Sequence, residues 1–386
     1  MRVSMVNKYY PPHLGGIEFH LRDLAEGLVT HAGAQVRAIV CNGENSRVEE
    51  RVDGVDVVRL PRATEFSSTP LCWGFAREIT AEAARVQAPD VFHFHFPYPW
   101  GELAWLAARP QVPLVITYHS DIVRQKAALV AYRPFLERFL DSADLIVASS
   151  PNMIEHSPYL APRAQKCRHV NFGLHVERFA GDETTQARAQ ALRAEHGGRR
   201  VVLFVGRLIY YKGADVLVRA MQGVDADLVM IGRGPLEGEL REIATAHGMS
   251  ERVRFLDPVD EPELAAWYAA ADVFALPSVA RSEAFGLVQI EAHAAGTPVV
   301  STNLTTGVPY ANLHEVTGLI VPVGDADALA DALRRLLADD ELRERLGRQA
   351  KERALTDFTI PRMVENTTAV YREAMALHAQ AAGRRS

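Results

Sequence analysis

The chain has 386 residues, 48% of them hydrophobic and 23% charged, with a formal net charge of −6 at pH 7. This length predicts about two domains, and the composition is ordinary for a soluble globular protein. The chain has no long basic tract, so we exclude nucleic acid as a partner. We also expect neither a membrane span, which needs roughly 20 apolar residues, nor a secretory signal peptide. A cytoplasmic location is the expectation.

The cysteines are few and widely spaced: Cys41, Cys72 and Cys167. An odd number at these spacings is typical of neither a disulfide framework nor a zinc site. We therefore expect three reduced thiols.

Strands and helices alternate along the first half of the chain. The strand predicted at 2–7 is followed by a loop with Gly15 and Gly16, and then by a helix at 17–29. These glycines either let the backbone approach a ligand at the helix N-terminus or simply form a turn. Further strands are predicted at 36–40, 55–60, 89–96, 113–120 and 142–150. The alternation predicts a parallel, doubly wound sheet.

The second half repeats this plan, which indicates two domains of similar architecture. Charged and polar residues are concentrated between 177 and 200, which marks the expected connection. The predicted strands after it are 201–206, 226–232, 252–257, 271–278 and 297–302.

The segment EAFGLVQIE places Glu283 in the loop after a strand and Glu291 inside a helix predicted from residue 288. Eight helical residues rise about 12 Å, whereas the carboxyl groups of a glycosidase pair lie roughly 5–9.5 Å apart. We therefore expect Glu291 to hold another part of an extended ligand, unless both are ordinary salt-bridged glutamates. The helix N-terminus also offers backbone N–H donors, those of Phe285, Gly286 and Leu287.

Two cations follow the buried strand that ends at Gly206. Arg207 comes directly after it, and Lys212 precedes the next helix. A planar guanidinium and a point-charge ammonium together suit a diphosphate. The alternative is a pair of solvated surface cations.

Three histidines come from two neighbouring strands. His93 and His95 alternate and so share one face, and His119 ends the next strand. Three imidazoles can form a metal site, but no carboxylate supports this set. We expect the histidines to line a cleft, with His119 donating a hydrogen bond to a ligand. The D-x-D tripeptides at 225–227 and 325–327 are predicted to be structural, the second as a helix N-cap.

At this point the motifs resemble a known family. The segments GRLIYYKG, ADVFALPSVARSEAFGLVQIEAHAAGTPVVST and TGLIVPVGDADALADAL occur in that order, after GGIEFHLRDLAEGL and VITYHSD. Together they resemble the retaining glycosyltransferases of family 4, over essentially the whole chain. Bacterial mannosyl- and rhamnosyltransferases of surface-polysaccharide assembly look most similar.

The resemblance implies an α/β chain with the GT-B fold, in which two doubly wound Rossmann-like domains face an interdomain cleft. Residues 1–178 would form the acceptor-side domain. Residues 179–361 would bind the nucleotide sugar. A C-terminal helix at about 362–380 would pack back on the first domain.

The resemblance also implies roles for the candidate catalytic residues. Arg207 and Lys212 would bind the donor diphosphate and stabilise the departing nucleoside diphosphate. Glu283 would address the donor sugar at the reaction centre. His119 would contact the sugar near the bond that breaks.

Other residues would bind the donor without taking part in the chemistry. Gly15 and Gly16 would lie against the diphosphate, and Glu291 would bind the ribose hydroxyls. The nucleobase would stack near Arg254 to Leu256. Backbone donors beside the sugar would come from Phe285, Gly286 and Leu287.

The implied reaction is hexosyl transfer with retention, from a nucleotide sugar to a glycan or lipid-linked acceptor. GDP-mannose is the first choice of donor and a UDP- or dTDP-sugar the alternative. No metal and no other cofactor is expected. Two rival functions are a nucleotide-sugar epimerase, which would turn over donor alone, and a non-catalytic sugar-nucleotide-binding relative, which degraded motifs would favour.

Two surfaces allow more than one interpretation. The acceptor surface is expected on loops 61–75 and 96–103, where tryptophans either stack on a sugar or are ordinary core or surface aromatics: Trp73, Trp100 and Trp105. A cationic helical stretch either contacts the anionic inner face of the membrane or is a solvated helix surface. Its members are Arg124, Lys126, Arg133 and Arg138.

Overall fold

The computed structural model describes residues 1–13, 15–66, 69–122 and 126–384. The chain divides into two compact units. Unit 1 comprises Met1–Leu174 and Ile360–Ser386, and unit 2 comprises His175–Thr359. Each unit contains one large sheet with helices between its strands.

The secondary structure of the first segment of unit 1 alternates strands and helices in the following order: β1 (Arg2–Val6), α1 (Gly16–Ala32), β2 (Gln35–Cys41), β3 (Val48–Val52), β4 (Val55–Leu60), β5 (Arg62–Phe66), β6 (Thr69–Cys72), α2 (Phe75–Ala83), β7 (Val91–Phe96), α3 (Pro99–Ala108), β8 (Leu114–Tyr118), α4 (Lys126–Ser142), β9 (Leu145–Ala148), α5 (Pro151–His156) and β10 (Cys167–His169).

Unit 2 repeats the alternation and is followed by the last helix of the chain, which belongs to unit 1. In order, the elements are α6 (Glu183–Glu195), β11 (Val201–Val205), α7 (Ala214–Ala220), β12 (Asp227–Ile231), α8 (Glu237–Ala246), β13 (Val253–Leu256), α9 (Glu261–Ala270), β14 (Val273–Leu276), α10 (Val288–Ala295), β15 (Val299–Thr302), α11 (Val308–Ala311), β16 (Gly318–Val321), α12 (Ala326–Ala338), α13 (Asp340–Asp357) and α14 (Ile360–Gly383).

The large sheet of unit 1 has the strand order β10-β9-β8-β7-β1-β2-β4-β3. Its pairings are parallel except that β3 runs antiparallel to β4. Every residue of β7 and β8 is buried, as expected for central strands covered by helices on both faces. The chain winds outwards from β1 in both directions, so the topological switch point lies between β1 and β7.

The sheet of unit 2 has the order β13-β12-β11-β14-β15-β16 and is parallel throughout. This is the 3-2-1-4-5-6 order of doubly wound nucleotide-binding sheets. Its switch point lies between β11 and β14, and ligands of such sheets bind beyond the carboxyl ends of the strands at that point. The loops after β11 and β14 are therefore the place to look for a site.

The predicted α/β fold class is confirmed, and each predicted strand is present with bounds that differ by a few residues. The strands that were not predicted are short: β3, β5, β6, β10 and β16.

Helix α14 packs against α1 in unit 1. A Cβ atom added to Gly27 would lie 2.8 Å from side-chain carbons of Ile360 and Val364, so glycine allows this close helix contact. Tyr371 of α14 is fully buried. Within the described residues, none of the helices combines the length and apolar character that a bilayer span requires.

The prediction of three reduced thiols is wrong for two of them. Cys41, the last residue of β2, and Cys72, the last residue of β6, form a disulfide with a Cα–Cα distance of 6.3 Å. Cys167 is a free, buried thiol. The pairing depends on where the β5–β6 hairpin docks, which the cysteine spacing does not reveal.

Candidate active site

The loop after β11 carries both predicted cations and is pressed against the loop after β14. Gly213 has φ +65°, and a Cβ atom there would lie 2.1 Å from the carbonyl oxygen of Pro277. Glycine is therefore required by both conformation and space. This close approach lets Lys212, at the end of a short 3₁₀ turn, reach the loop that holds Glu283.

Lys212 and Glu283 form a buried ion pair. The Lys212 Nζ lies 2.6 Å from the Glu283 Oε2, and the two side chains are 11% and 9% exposed. The Ser278 hydroxyl donates to the same carboxylate oxygen at 3.1 Å. Because a buried charge is tolerated only when it is paired, each group serves as the counter-charge of the other. Glu283 is thus not a solvated loop glutamate.

Arg207 is exposed on the same loop. In the part of the chain that the structure describes, its guanidinium has no hydrogen-bond or ion-pair partner. The Tyr211 phenol, whose pKa is raised chiefly by burial, also feels the charges of Lys212, Glu283 and Arg207. The three charged groups therefore surround one tyrosine at the switch point, with the Arg207 fork available to a diphosphate.

The N-terminus of α10 follows Glu283 closely. Gly286 has φ +75°, and a Cβ atom there would lie 2.5 Å from a Leu276 methyl carbon, so the turn requires glycine. The backbone N–H groups of Gly286 and Leu287 have no acceptor among the described residues. These two donors are therefore available to an anion or a hydroxyl. The Phe285 side chain is buried.

Glu291 lies in the first turn of α10 and accepts a hydrogen bond from the Tyr268 hydroxyl at 2.7 Å. Burial raises the pKa of Glu291, and the hydrogen bond from Tyr268 partly opposes that rise. Glu283 and Glu291 thus have separate partners, Lys212 and Tyr268. This agrees with separate roles along one extended ligand.

Leu256 ends the edge strand β13. Its carbonyl accepts from the Gly232 N–H at 2.9 Å, so this backbone group faces the sheet. Because backbone groups alternate along a strand, those that face outward belong to Phe255 and Asp257. A nucleobase bound by backbone contacts at this edge would therefore meet the neighbours of Leu256.

In unit 1, His119 follows β8 and is held by a second histidine. Its Nε2 lies 3.0 Å from the His95 Nδ1, and its backbone N–H donates to Phe96. The Phe172 ring stacks on the imidazole with a centroid distance of 5.7 Å. His20 of α1 meets His119 edge-on, at 5.0 Å.

Burial decides the charge of these imidazoles. It lowers the pKa of His119 and of His95 well below the ordinary value, and neighbouring histidines lower both further. Burial likewise lowers the pKa of His20 to about 3. His119 is therefore neutral near pH 7 and can offer a sugar a hydrogen bond, but no positive charge.

The expectation that all three predicted histidines line a cleft is wrong for His93. It shares a face with His95, as predicted, at a ring-centroid distance of 4.6 Å. However, it is fully buried, and both its nitrogens are engaged, with Tyr371 and Thr117 at 2.7 Å each. The interior position of β7 in the sheet explains this burial.

The group of three potential metal ligands that occurs in the described residues consists of His20, His95 and His119. Their candidate ligand atoms lie within 4.8 Å of one another. His20 thus takes the place that the sequence suggested for His93. The sequence analysis missed His20 because it lies on a helix and not at the end of a strand. Its position one helical turn after Gly16 was the signal that could have identified it.

The two predicted glycines differ in their surroundings. Gly15 is the N-cap of α1 in an extended conformation, and its carbonyl accepts from the Phe19 N–H. A Cβ atom added to Gly16 would meet no atom of the described residues within 4 Å. Protein packing therefore does not require glycine at Gly16, which leaves room for a ligand there.

The aspartate tripeptides are structural, as predicted. The Asp325 side chain caps α12 by accepting from the Ala328 N–H at 2.9 Å. Asp227 pairs with His196 at 2.7 Å and with Arg199 at 3.0 Å.

The predicted cationic stretch falls only partly within the described residues. Arg124 and the side chain of Lys126 lie outside them. Arg133 pairs with Glu137 at 2.7 Å, and Arg138 is exposed.

Comparison with known proteins identifies the family. Residues 14–178 match the family described as Glycosyltransferase Family 4, and residues 186–353 match Glycosyl transferases group 1. D-rhamnosyltransferase WbpZ of Pseudomonas aeruginosa is 38% identical over 287 residues, which cover 73% of this chain and 72% of that protein. O-antigen chain mannosyltransferase C of Escherichia coli is 32% identical over 373 residues, covering 96% and 98%.

Among solved structures, sucrose-phosphate synthase from Thermosynechococcus elongatus superposes with a TM-score of 0.78 at 26% identity. The match covers 97% of this chain and 99% of that one. The chain therefore belongs to glycosyltransferase family 4 and has the GT-B fold.

Proposed function

We propose that this glycosyltransferase moves a hexose, with retention of anomeric configuration, from a nucleotide sugar to a glycan or lipid-linked acceptor of a surface polysaccharide. The observation that carries the proposal is the buried Lys212–Glu283 pair at the switch point of unit 2, on whose loop Arg207 has no hydrogen-bond or ion-pair partner among the described residues. The names of the relatives, an O-antigen chain mannosyltransferase and a D-rhamnosyltransferase, support the sugar class and the type of acceptor.

The departing nucleoside diphosphate needs positive charge where its negative charge develops. Arg207 supplies a bidentate fork and Lys212 a fixed ammonium. The N–H groups of Gly286 and Leu287 add donors at a helix N-terminus. Preorganised groups of this kind stabilise a transition state without reorganising during the reaction. They supply the electrostatic stabilisation that a metal ion provides in other transferases, so we propose that transfer needs no metal.

Glu283 orients the sugar in this proposal. Its carboxylate is held from two sides, by Lys212 and Ser278, so it can present an oxygen to a sugar hydroxyl in a fixed direction. The neutral His119 imidazole contributes a further hydrogen bond to the sugar. Retention then follows from attack by the acceptor hydroxyl on the face from which the diphosphate departs.

GDP-mannose is the proposed donor, supported by the mannosyltransferase relative. A UDP- or dTDP-sugar is the alternative, because an edge strand that binds a base by backbone groups discriminates weakly between bases.

A thermal-shift screen with nucleotides tests the donor site. GDP and GDP-mannose should raise the melting temperature, since a ligand that binds only the folded state adds about 2.7 kcal/mol at 100 times its Kd. EDTA should leave the shift unchanged if neither the diphosphate site nor the three-histidine group holds a required metal. Arg207→Ala should reduce the shift without lowering the melting temperature of the free protein, since Arg207 has no partner among the described residues.

Arg348→Ala is the matched control, because this arginine is exposed on α13. A shift with UDP or dTDP instead would replace the donor, and loss of the shift in EDTA would contradict metal independence. No shift with any of these nucleotides would overturn the proposed function.

We further propose a peripheral contact between α4 and an anionic membrane surface. Val130 and Phe135 are exposed on this helix, at 77% and 50%, beside Arg133 and Arg138. The protein should co-sediment with phosphatidylglycerol vesicles more than with phosphatidylcholine vesicles, and Phe135→Asp should weaken this binding. Equal sedimentation with both lipids would contradict the contact.

A further inference from the structure

Two tryptophans of unit 1 form an aromatic pair, in which Trp73 is exposed and Trp100 is half-buried. The Trp73 side chain is 71% exposed, which is unusual because tryptophan has a large apolar surface that is mostly buried in folded proteins. Trp100 meets it edge to face, with a ring-centroid distance of 6.2 Å and an interplanar angle of 84°. Trp105, by contrast, is 5% exposed and packs against Phe92 and Phe94 in the core.

The pair lies at the carboxyl edge of the unit 1 sheet. Trp100 stands in the first turn of α3, directly after β7, and Trp73 follows β6. The Trp100 Nε1–H donates to the Cys72 carbonyl at 2.7 Å. His119 follows the neighbouring strand β8, so the pair and the candidate reaction residue share one edge of one sheet.

The hairpin that presents Trp73 is fixed by independent links. The disulfide ties Cys72 to Cys41 at the carboxyl end of β2. The Tyr98 hydroxyl donates to the Pro70 carbonyl at 3.2 Å. Because these links already hold the hairpin in place, a ligand that stacks on Trp73 would lose little binding free energy to ordering of the loop.

The β5–β6 hairpin that precedes Trp73 carries polar groups of both signs, and Arg62 lies opposite Cys72 in its register. Glu65 accepts from the Tyr9 hydroxyl at 3.3 Å and pairs with Arg62 at 3.0 Å. The Glu65 side chain is 43% exposed, so its carboxylate remains accessible. The charges of the Glu65–Arg62 pair balance, which favours a neutral ligand that has one apolar face and several hydroxyl groups. A pyranose ring has these properties.

We propose that Trp73 and Trp100 form an acceptor subsite that takes a neutral pyranose ring of the acceptor glycan, with the apolar face of the sugar against the Trp73 indole. This inference rests on the proposed transfer to a glycan and names the part of the chain that recognises that substrate. The aromatic face supplies contact area, and the Glu65–Arg62 pair of the same hairpin supplies hydrogen bonds to the hydroxyl groups.

Binding of α-linked mannotriose tests the subsite, followed by saturation-transfer NMR and intrinsic fluorescence in the absence of donor. The wild-type protein should bind saturably. Trp73→Ala should bind at least about tenfold more weakly, as expected when a central aromatic anchor is truncated. Trp73→Phe should recover most of the affinity. In transfer assays with mannotriose as acceptor, Trp73→Ala should raise the acceptor KM and leave the donor KM unchanged.

Val86→Ala is the control, because it shortens an exposed apolar side chain that lies before β7, whereas Trp100 lies after that strand. Mannotriose binding by Trp73→Ala with wild-type affinity would overturn the subsite. So would failure of the wild-type protein to bind mannotriose while it binds GDP. Failure of the proposed function is recognised separately, since the wild-type protein would then show no nucleotide-induced thermal shift.

Discussion

Glu283→Gln is expected to lower kcat by about 10²-fold or more, the loss typical of removing one preorganised electrostatic group. Glutamine keeps the shape of the side chain and can still accept hydrogen bonds from Ser278 and Lys212, but it removes the negative charge. Lys212 is then a buried cation without a counter-charge. Breaking a buried pair from one side costs about 3–5 kcal/mol, so the free variant should also melt at a lower temperature.

The same substitution should make nucleotide binding more stabilising. A diphosphate would give Lys212 the counter-charge that the neutral glutamine amide does not supply. The GDP-induced shift in melting temperature should therefore be larger in Glu283→Gln than in the wild-type protein. The double variant Glu283→Gln with Lys212→Met should recover stability, because no buried charge is left alone, while activity stays low. Such a cycle separates the pair's role in folding from its role in transfer.

Glu137→Gln provides the matched control, since it breaks a solvent-screened surface pair with Arg133, a kind of pair that contributes little to stability. Full activity of Glu283→Gln would exclude Glu283 from the reaction centre. An unchanged melting temperature would show that the Lys212–Glu283 pair contributes nothing to stability.

The parts of this site that follow from local pattern were predictable. Strand, glycine turn and helix recur around Lys212 and Glu283, so both could be assigned to carboxyl-end loops from their neighbours in sequence. The helix from Val288 to Ala295 begins at the predicted residue, and Gly296 ends it in a left-handed conformation, at φ +86°. What the pattern could not supply is the adjacency of β11 and β14, which turns two separate loops into one ion pair.

Features that depend on docking between distant segments were missed for the same reason. The strands β5 and β6 are short, and contacts with Tyr98 and Trp100 and the Cys41–Cys72 disulfide hold their hairpin in place. Hydrophobic periodicity describes only residues that are close in sequence, so it does not predict these contacts. His20 was not predicted because it lies on α1, whereas the predicted histidines, such as His95, lie at the ends of strands. Its closeness to His119 arises from the packing of α1 on the sheet.

The second large effect is a loss of folding stability at acidic pH. Burial lowers the pKa of His20 and of His93 to about 3, and it lowers the pKa of His95 and His119 well below the ordinary value. The ordinary value, near 6.5, applies to the unfolded chain. Below that pH the unfolded chain binds more protons than the folded one, so the free energy of unfolding must fall as pH falls.

One group in the same unit acts in the opposite direction. Burial raises the pKa of Glu102 to about 7, so the folded state retains a proton there that the unfolded state releases above its ordinary pKa. Between about pH 7 and pH 4.5, this group makes the folded state more stable as the pH falls. It accounts for a difference of one bound proton between the folded and unfolded states, whereas the four histidines account for four in the opposite direction. Each proton is worth about 1.4 kcal/mol per pH unit. The net effect of the three remaining protons approaches about 4 kcal/mol per pH unit below the ordinary histidine pKa.

Urea unfolding followed by tryptophan fluorescence measures this loss, since three of the four tryptophans, Trp73, Trp100 and Trp105, lie in unit 1, whereas Trp267 lies in unit 2. The midpoint should fall steeply between about pH 7 and about pH 5. His93→Gln should reduce the slope by about one proton, because glutamine can still hydrogen-bond to Thr117 and Tyr371. His31→Gln, at an exposed histidine, should leave the slope unchanged. A midpoint that stays constant over this range would mean that the buried histidines are protonated without unfolding, and His119 could then carry a charge to the sugar.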